Sequence, residues 1–222
     1  ALEHGQGNIP HDITSVCELQ AAGGFELLEA GLPARFAAVF EAERLFYFHE
    51  TPEGRWLMVQ PLKAGRGSGP VRPEAGRKLH DIDWSKRNYS GMRYDSVSKD
   101  MVLQSDEKND EVFNLYRVSL SNGALTKLTD VPYIYGWSFS KNNRQIGYIA
   151  RFGAGEPYRS CLQLLDPASG MSREITCQQE GEWRMSWSSV NFRPDGRGAV
   201  IKVNRNGDRK GGNLAYVDLT KD

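Results

Sequence analysis

The chain has 222 residues with 28 basic and 28 acidic side chains, so its formal net charge is zero. This balance argues against a nucleic acid as the partner, because nucleic-acid-binding domains normally carry a positive surface that neutralises phosphates. Hydrophobic residues make up 39% of the chain, but the longest apolar runs fall far short of the ~20 residues that span a bilayer. We therefore expect a soluble domain with a buried core and no membrane span.

The N-terminal segment, residues 1–13, is predicted to be flexible. It lacks an initiator Met, a basic n-region and an apolar h-region, so we expect that an export signal either was removed or never existed. Periplasmic, secreted and cytoplasmic locations are all compatible with the sequence.

Short runs of aromatic and β-branched residues follow, separated by clusters of Gly, Asn, Asp, Ser and Pro, and helical periodicity is nearly absent. This pattern predicts an all-β chain. Its one helix candidate, Phe25 to Ala30, is ended by Gly31 and Pro33. The segment fits a short strand equally well. The main predicted strands are Arg35 to Phe40, Arg44 to His49, Arg55 to Leu62, Met101 to Ser105, Phe113 to Leu120, Gln145 to Ala150, Cys161 to Leu165, Ala199 to Val203 and Asn213 to Leu219.

The strands recur with a period of about 40 to 50 residues, which is typical of propeller repeats. Taking Val97, Phe139 and Phe192 as equivalent gives steps of 42 and 53 residues. A later strand recurs with steps of 47 and 52 residues, at Leu115, Leu162 and Leu214. Asn, Asp and Gly supply the turns, because they accept a positive φ. Each repeat therefore matches a four-stranded antiparallel blade of a β-propeller.

We predict a propeller of about four blades over residues 14–222. The predicted blades are residues 35–82, 91–130, 134–178 and 184–222, with 14–30 as additional outer strands. The last repeat stops at Asp222 after its third strand. Either Phe25 to Glu29 supplies the missing strand and closes a ring, or the chain is the first part of a longer propeller. We favour the longer propeller, because four blades is the lower limit of the known range.

Three segments resemble a known repeat superfamily. Trp137–Tyr148 (WSFSKNNRQIGY) and Phe192–Arg197 (FRPDGR) resemble the W-S-P-D-G-x-x-[IL]-[AV]-[FY] element of TolB-type propeller repeats. Asn114–Asp130 (NLYRVSLSNGALTKLTD) resembles the outer half of the same blade. This combination is similar to TolB and to the propeller domain of prolyl oligopeptidase family serine peptidases, which include dipeptidyl and acylaminoacyl peptidases. The resemblance is good over Met92 to Asp222 and weak over the residues before it.

The resemblance implies a non-catalytic role. In that peptidase family the propeller caps a C-terminal α/β-hydrolase domain, which holds the catalytic Ser, Asp and His, and restricts entry to short peptides. No G-x-S-x-G nucleophile elbow occurs in these 222 residues, so we expect no catalytic residue here. The implied partners are the hydrolase domain and a peptide substrate.

Two other functions stay open. The first is a TolB-like periplasmic propeller that binds a protein partner. The second, a stand-alone propeller enzyme acting on saccharides or lactones, is disfavoured because the four histidines are scattered and match no metal-ligand spacing. We therefore expect neither a metal nor a cofactor.

The loop between two predicted strands contains four carboxylates, Asp106, Glu107, Asp110 and Glu111. They are candidates for facing a substrate or partner, because they could attract a peptide's amino terminus or bind Ca²⁺ through oxygen ligands. The favoured interpretation is a solvated loop whose charge keeps the edge from pairing.

Glu180 and Glu182 are further candidates for facing a substrate. They are the nearest match to the paired glutamates that hold the substrate's amino terminus in dipeptidyl peptidase IV-like propellers. Gly181 separates them and the flanking residues differ, so no role is transferred. The basic, glycine-rich segments Ala64 to Gly69 and Arg205 to Gly212 are predicted to be flexible surface loops, since neither has the strand-to-helix context of a phosphate site.

Aromatic residues near the starts of the inner strands are predicted to pack between neighbouring blades rather than to bind a ligand. They are Trp84, Trp137, Trp183, Trp187, Tyr133, Tyr135 and Tyr148.

Cys161 and Cys177 are predicted to face each other across the hairpin of the third and fourth strands of one blade. A disulfide is possible at this register, but a one-residue slip would turn the side chains to opposite faces. We expect reduced, buried thiols, with Cys17 unpaired in either case. A bridge would indicate an oxidising compartment.

Overall fold

Strands account for nearly all the regular structure in a computed structural model of the chain. The model describes residues 13–19, 25–33, 38–41, 44–61, 76–108, 110–142, 144–153, 159–178, 183–185, 190–205 and 212–220, with side chains from Arg44 onward except those of Trp183 and Arg205. The predicted all-β class is confirmed. No helix long and apolar enough to cross a bilayer occurs in these ranges. The chain divides into two units, residues 1–85 and 86–222.

The first unit contains a two-stranded and a four-stranded antiparallel sheet. β1 (Ile13–Leu19) pairs with β2 (Phe25–Pro33), so the ambiguous segment Phe25 to Ala30 is a strand. Sheet 1 has the order β3-β4-β5-β6, formed by β3 (Ala38–Glu41), β4 (Arg44–Thr51), β5 (Gly54–Pro61) and β6 (Arg77–Lys78).

The core of the first unit lies around β4. Leu45 to Phe48 are buried without a break, and because successive side chains point to opposite faces of a strand, both faces of β4 are covered. Trp84, from the 3-10 turn Trp84–Lys86, is fully buried and meets Phe48 edge to face at 5.3 Å between ring centroids.

The second unit contains three sheets that follow one another along the chain. Sheet 2 consists of β7 (Tyr89–Asp95), β8 (Asp100–Ser105), β9 (Asn114–Val118) and β10 (Leu125–Lys127). Sheet 3 consists of β11 (Tyr133–Phe139), β12 (Ile146–Phe152), β13 (Arg159–Leu165) and β14 (Ser172–Cys177). Sheet 4 consists of β15 (Trp183–Met185), β16 (Asn191–Phe192), β17 (Gly198–Arg205) and β18 (Asn213–Asp218). Sheets 2 and 3 are sequential antiparallel meanders.

Sheet 4 has three strand positions in the described residues. β15 and β16 both pair with β17 along one edge, and β18 pairs with β17 along the other. Leu214 on β18 is 77% exposed, whereas Leu115 and Leu162 are fully buried. The three leucines lie on the third strand position of their sheets, as the repeat predicts, and Leu214 is exposed because no described strand or sheet covers it.

The predicted equivalence at the end of the first strand also needs one correction. Phe139 pairs with Ile146, and Phe192 pairs with Ala199, but Val97 lies in the turn between β7 and β8 and is 58% exposed. The cause is turn length: residues 96–99 connect β7 to β8, whereas the longer segment 140–145 connects β11 to β12.

Sheets 2 and 3 share one apolar cluster. Val102 and Leu115 from sheet 2 pack with Trp137 and Tyr148 from sheet 3. Gly91 makes this approach possible: it has a φ of +59°, and a Cβ there would lie 3.1 Å from Trp137 Nε1. The backbone conformation and the short distance both favour glycine at this irregular position of β7.

Sheets 3 and 4 share a second apolar cluster, which includes Tyr135, Ile149, Met185 and Ile201. A Cβ at Gly147 of β12 would lie 2.7 Å from a methyl group of Val190. The two sheets therefore pack this closely only because residue 147 has no side chain. Of the aromatics predicted to be core residues, Trp84, Trp137, Tyr135 and Tyr148 are buried, whereas Tyr133 is only partly buried. The side chains of Trp183 and Trp187 lie outside the described residues, as do the loop Ala64 to Gly69 and residues 206–211.

Cys161 and Cys177 form a disulfide, so the expectation of reduced thiols is wrong. The predicted register is confirmed, because the two residues are direct partners on β13 and β14. The next pair outward is hydrogen bonded, with the Gln178 amide donating to the Ser160 carbonyl at 2.8 Å. The cysteines thus occupy the non-hydrogen-bonded type of pair, in which the Cα atoms lie closest, here 4.0 Å apart.

Replacing both cysteines, as Cys161→Ala/Cys177→Ala, is expected to lower the free energy of unfolding by about 3 kcal/mol, the loop-closure value for about 15 residues. Urea unfolding of the wild type and the variant, each with and without dithiothreitol, measures this difference. Dithiothreitol should destabilise the wild type and the control Cys17→Ala, which keeps the bridge, but not the double variant. Identical unfolding of the oxidised and reduced wild type would contradict the prediction.

Candidate functional site

The loop between β8 and β9, residues 106–113, and the connection between β10 and β11 emerge at the same end of sheets 2 and 3, because neighbouring strands alternate in direction. Glu107, Asp110 and Glu111 are exposed there, and we call these three carboxylates the acidic rim. Glu180 and Glu182 lie outside the described residues.

Asp106 anchors this loop instead of facing solvent. Its side chain is buried, and its carboxylate accepts hydrogen bonds from the Asn88 backbone amide and from Asn88 Nδ2, both at 2.9 Å. The Glu111 amide donates to the same carboxylate at 3.1 Å. Asp106 thereby connects the start of β7 to the far side of the loop and holds the acidic rim in place.

Glu107 is the best-connected member of the acidic rim. It accepts a hydrogen bond from the Tyr116 hydroxyl at 2.7 Å, and Lys127 Nζ lies 3.6 Å away. Lys127 also donates to Asp130 at 2.7 Å, and the Arg87 guanidinium lies 5.7 Å from the centre of the Tyr116 ring. Charged side chains and an aromatic ring thus lie together beside the 106–113 loop.

The groups that contact Glu107 favour the ionised form of its carboxylate. The Tyr116 hydroxyl bond, followed by the charge of Lys127, lowers the pKa of Glu107. Burial and then the bond to Glu107 raise the pKa of Tyr116, so the phenol stays a neutral donor. The bond to Asp130 raises the pKa of Lys127.

Of the other two rim carboxylates, Glu111 lies near the Tyr133 ring. Asp110 accepts from the Val112 amide at 3.1 Å, and Glu111 has a left-handed backbone with a φ of +62°. Burial, and secondarily the charge of Glu111, raises the pKa of Tyr133. Tyr133 contacts two neighbouring rings edge to face, Phe113 at 5.9 Å and Tyr135 at 5.5 Å between centroids. We call these three rings the aromatic ladder.

A groove with a volume of about 540 Å³ begins at Lys127 and Asp130 and continues past Tyr148, Phe152 and Gln163 of sheet 3. Exposed carboxylates, aromatic rings and an adjoining groove together suit the binding of a cationic or amphipathic ligand. Carboxylates attract the cation, and aromatic faces interact favourably with it.

One group of possible metal ligands converges among the described residues: Cys161, Glu174 and Cys177. The two sulfurs are bonded to each other. Arg159 donates to Glu174 at 2.6 Å and contacts Sγ of Cys177. The guanidinium thus occupies the position beside the carboxylate that a cation would need.

No family model and no curated protein matches the sequence. Solved structures do match. TolB from Acinetobacter baumannii shares 15% identity at a TM-score of 0.53, over 89% of this chain and 44% of that one. Puromycin hydrolase shares 15% identity at a TM-score of 0.57, over 90% of this chain and 30% of that one. A prolyl endopeptidase shares 11% identity at a TM-score of 0.53, over 83% of this chain and 28% of that one.

These likenesses show the fold. The sheets of four antiparallel strands and the matched propeller-domain proteins place the chain in the β-propeller class, as the repeat period predicts. The chain spans less than half the length of TolB and about 30% of puromycin hydrolase.

Replacing the loop anchor, as Asp106→Ala, is expected to lower the free energy of unfolding by about 3 kcal/mol. Asn88 and the Glu111 amide lose their acceptor, and each buried group without a partner costs about 1–3 kcal/mol. Urea unfolding measures the loss. The exposed neighbour provides the control, since Asp110→Ala is expected to cost less than about 1 kcal/mol. Equal effects of the two substitutions would show that Asp106 is no anchor.

Replacing the hydrogen-bond donor, as Tyr116→Phe, is expected to raise the pKa of Glu107 toward its usual value. Because the folded-state pKa is lowered, the stabilisation from this bond is present above the unfolded-state pKa and is lost as the pH falls through the folded-state pKa. Carboxyl-detected NMR titration of Glu107 measures the shift. The argument fails if Tyr116→Phe leaves the titration of Glu107 unchanged.

Proposed function

We propose that this chain is a non-catalytic part of the propeller of a prolyl oligopeptidase-like serine peptidase. In this role it caps a hydrolase domain supplied by the rest of the polypeptide and restricts access to short peptides. The observation that carries the proposal is the acidic rim beside the aromatic ladder and the groove. The fold shared with puromycin hydrolase and a prolyl endopeptidase supports it.

The acidic rim would attract the protonated amino terminus of a peptide. Glu107 remains ionised to a lower pH than an ordinary glutamate, because the bond from Tyr116 and the charge of Lys127 lower its pKa. The rings of the aromatic ladder would contact the first side chains of the peptide.

A TolB-like interaction module is the second candidate, and one observation favours it. The Cys161–Cys177 disulfide fits an oxidising compartment such as the periplasm, and TolB shares the fold. In this role the acidic rim would bind a basic surface of a protein partner.

The mass of the intact gene product from its native source separates the two candidates. The peptidase proposal expects a mass about 40 kDa above the 24.9 kDa of this chain, because further blades and a hydrolase domain of ~250 residues must be added. A mass equal to that of this chain would overturn the peptidase proposal and favour the interaction module.

In the intact peptidase, Glu107→Gln/Glu111→Gln is expected to raise KM about threefold for peptides with a free amino terminus, the size of an exposed charge interaction, and to leave kcat nearly unchanged. The same peptides with an acetylated amino terminus should show no change. Glu53→Gln, which removes an exposed carboxylate of the first unit, is the control. Equal effects on free and acetylated peptides would contradict recognition of the amino terminus by the rim.

A further inference from the structure

The disulfide of sheet 3 and a neighbouring carboxylate form the one convergent group of metal-ligand side chains in the part of the chain that the structure describes. The two sulfurs of Cys161 and Cys177 and a carboxylate oxygen of Glu174 all lie within 4.8 Å of one another. We call these three residues the redox cluster. Cys161 is buried, Cys177 is half-buried and Glu174 is exposed, so the cluster opens to solvent on the Glu174 side.

A β-bulge in β14 places Glu174 on the same face of the sheet as the two cysteines. Residues three apart on a regular strand point to opposite faces, so Cys177 and Glu174 would otherwise be separated. Cys177 pairs with Cys161, but Glu174 pairs with Gln163, which leaves Ile175 as the extra residue. Ile175 packs against the cluster between sheets 3 and 4. Bulges re-aim side chains in this way next to functional sites.

A cationic group already lies in the redox cluster. Arg159 Nη2 donates to the Glu174 carboxylate at 2.6 Å and to Cys177 Sγ at 2.8 Å, so one nitrogen bridges the carboxylate and the sulfur as a metal ion would. The Arg159 side chain is 57% exposed, and it can rotate into solvent without disturbing the core. The other oxygen of Glu174 accepts from Gln163 Nε2 at 3.3 Å, which orients the carboxylate as outer partners orient metal ligands.

Reduction of the bridge supplies the two ligands that a soft metal ion needs. A dithiol reductant gives two electrons to the bridge and becomes a disulfide, while its two protons pass to the sulfurs of Cys161 and Cys177. A metal ion then displaces both protons into solvent, because the thiolate is the form that binds metal. Tetrahedral coordination with Zn–S bonds of ~2.3 Å places two sulfurs roughly 3.8 Å apart. Since the two Cα atoms lie 4.0 Å apart, rotation of the side chains is enough to reach this separation.

We propose that the reduced chain binds one Zn²⁺ ion through the thiolates of Cys161 and Cys177 and the carboxylate of Glu174. Two thiolates select zinc over Ca²⁺ and Mg²⁺, which prefer oxygen ligands. Water takes the fourth position, and Arg159 moves away from the ion that replaces it. The ion takes over the link between β13 and β14 that the disulfide provides. This site does not depend on the peptidase role proposed above.

Metal titration of the 222-residue chain tests the proposal in the Cys17→Ala background, in which Cys161 and Cys177 are the only cysteines. A phosphine reductant replaces the dithiol, because it is oxidised to the phosphine oxide and adds no thiol that binds zinc. The reduced chain is expected to bind one Co²⁺ ion with thiolate-to-cobalt charge-transfer absorption, and Zn²⁺ should displace the Co²⁺. The oxidised chain should show no such absorption. Its absence after reduction, or its presence in the oxidised chain, would overturn the proposal.

Two variants connect the binding to the named residues. Glu174→Gln is expected to weaken Zn²⁺ binding by at least the roughly tenfold that loss of an outer partner costs, whereas the matched control Glu53→Gln, which removes an exposed carboxylate of the first unit, should leave it unchanged. Arg159→Gln is expected to strengthen binding, because a positive charge that competes for Glu174 is removed. Unchanged affinity in Glu174→Gln, or binding no stronger in Arg159→Gln, would overturn the assignment.

Urea unfolding of the reduced chain distinguishes a folded zinc site from binding by two thiols of the unfolded chain. Zn²⁺ bound to the folded redox cluster should raise the urea midpoint of the reduced chain by mass action and leave that of the oxidised chain unchanged. An unchanged or lower midpoint of the reduced chain would show that the ion does not bind the folded arrangement and would overturn the proposal.

Discussion

Burial of apolar side chains between successive sheets is the constraint on which the second unit depends. A four-stranded meander alone cannot cover both of its faces, so Val102 and Leu115 are buried only because Trp137 and Tyr148 of the next sheet lie against them. Packing between neighbouring sheets constrains the backbone as well as the side chains. Gly147 lies where the neighbouring sheet approaches too closely for a Cβ, and Gly91 lies where a left-handed backbone and a tight contact with Trp137 both favour glycine.

This packing leaves the two ends of the sheets available for charge. At one end, Asp106 holds the loop through its hydrogen bonds, and the other carboxylates of the loop are exposed. At the other end, short turns hold Asp166 and Asp195 through their own amides. Chemistry is concentrated where the strands end, as expected when function is carried by loops on a rigid scaffold.

The sequence predicts the class of fold well, because alternation and repeat period report directly on strands and sheets. It is harder to predict which single residues share the same environment in successive repeats. Val97 falls in a turn of different length, and Leu214 lacks the neighbouring sheet that covers Leu115. At the candidate site, Asp106 and Glu107 are adjacent acids that composition cannot distinguish, yet one is buried and the other exposed.

The position of the Cys161–Cys177 bridge has a consequence for local motion. It lies at the end of β14 that continues toward residue 178, and β14 is the outermost strand of sheet 3. Outermost strands open first in native-state fluctuations, but the covalent link prevents β14 from fraying at that end. The 166–171 turn ties the other end of β14 to β13, so the outermost strand is covalently fixed at both ends and cannot peel away from either one.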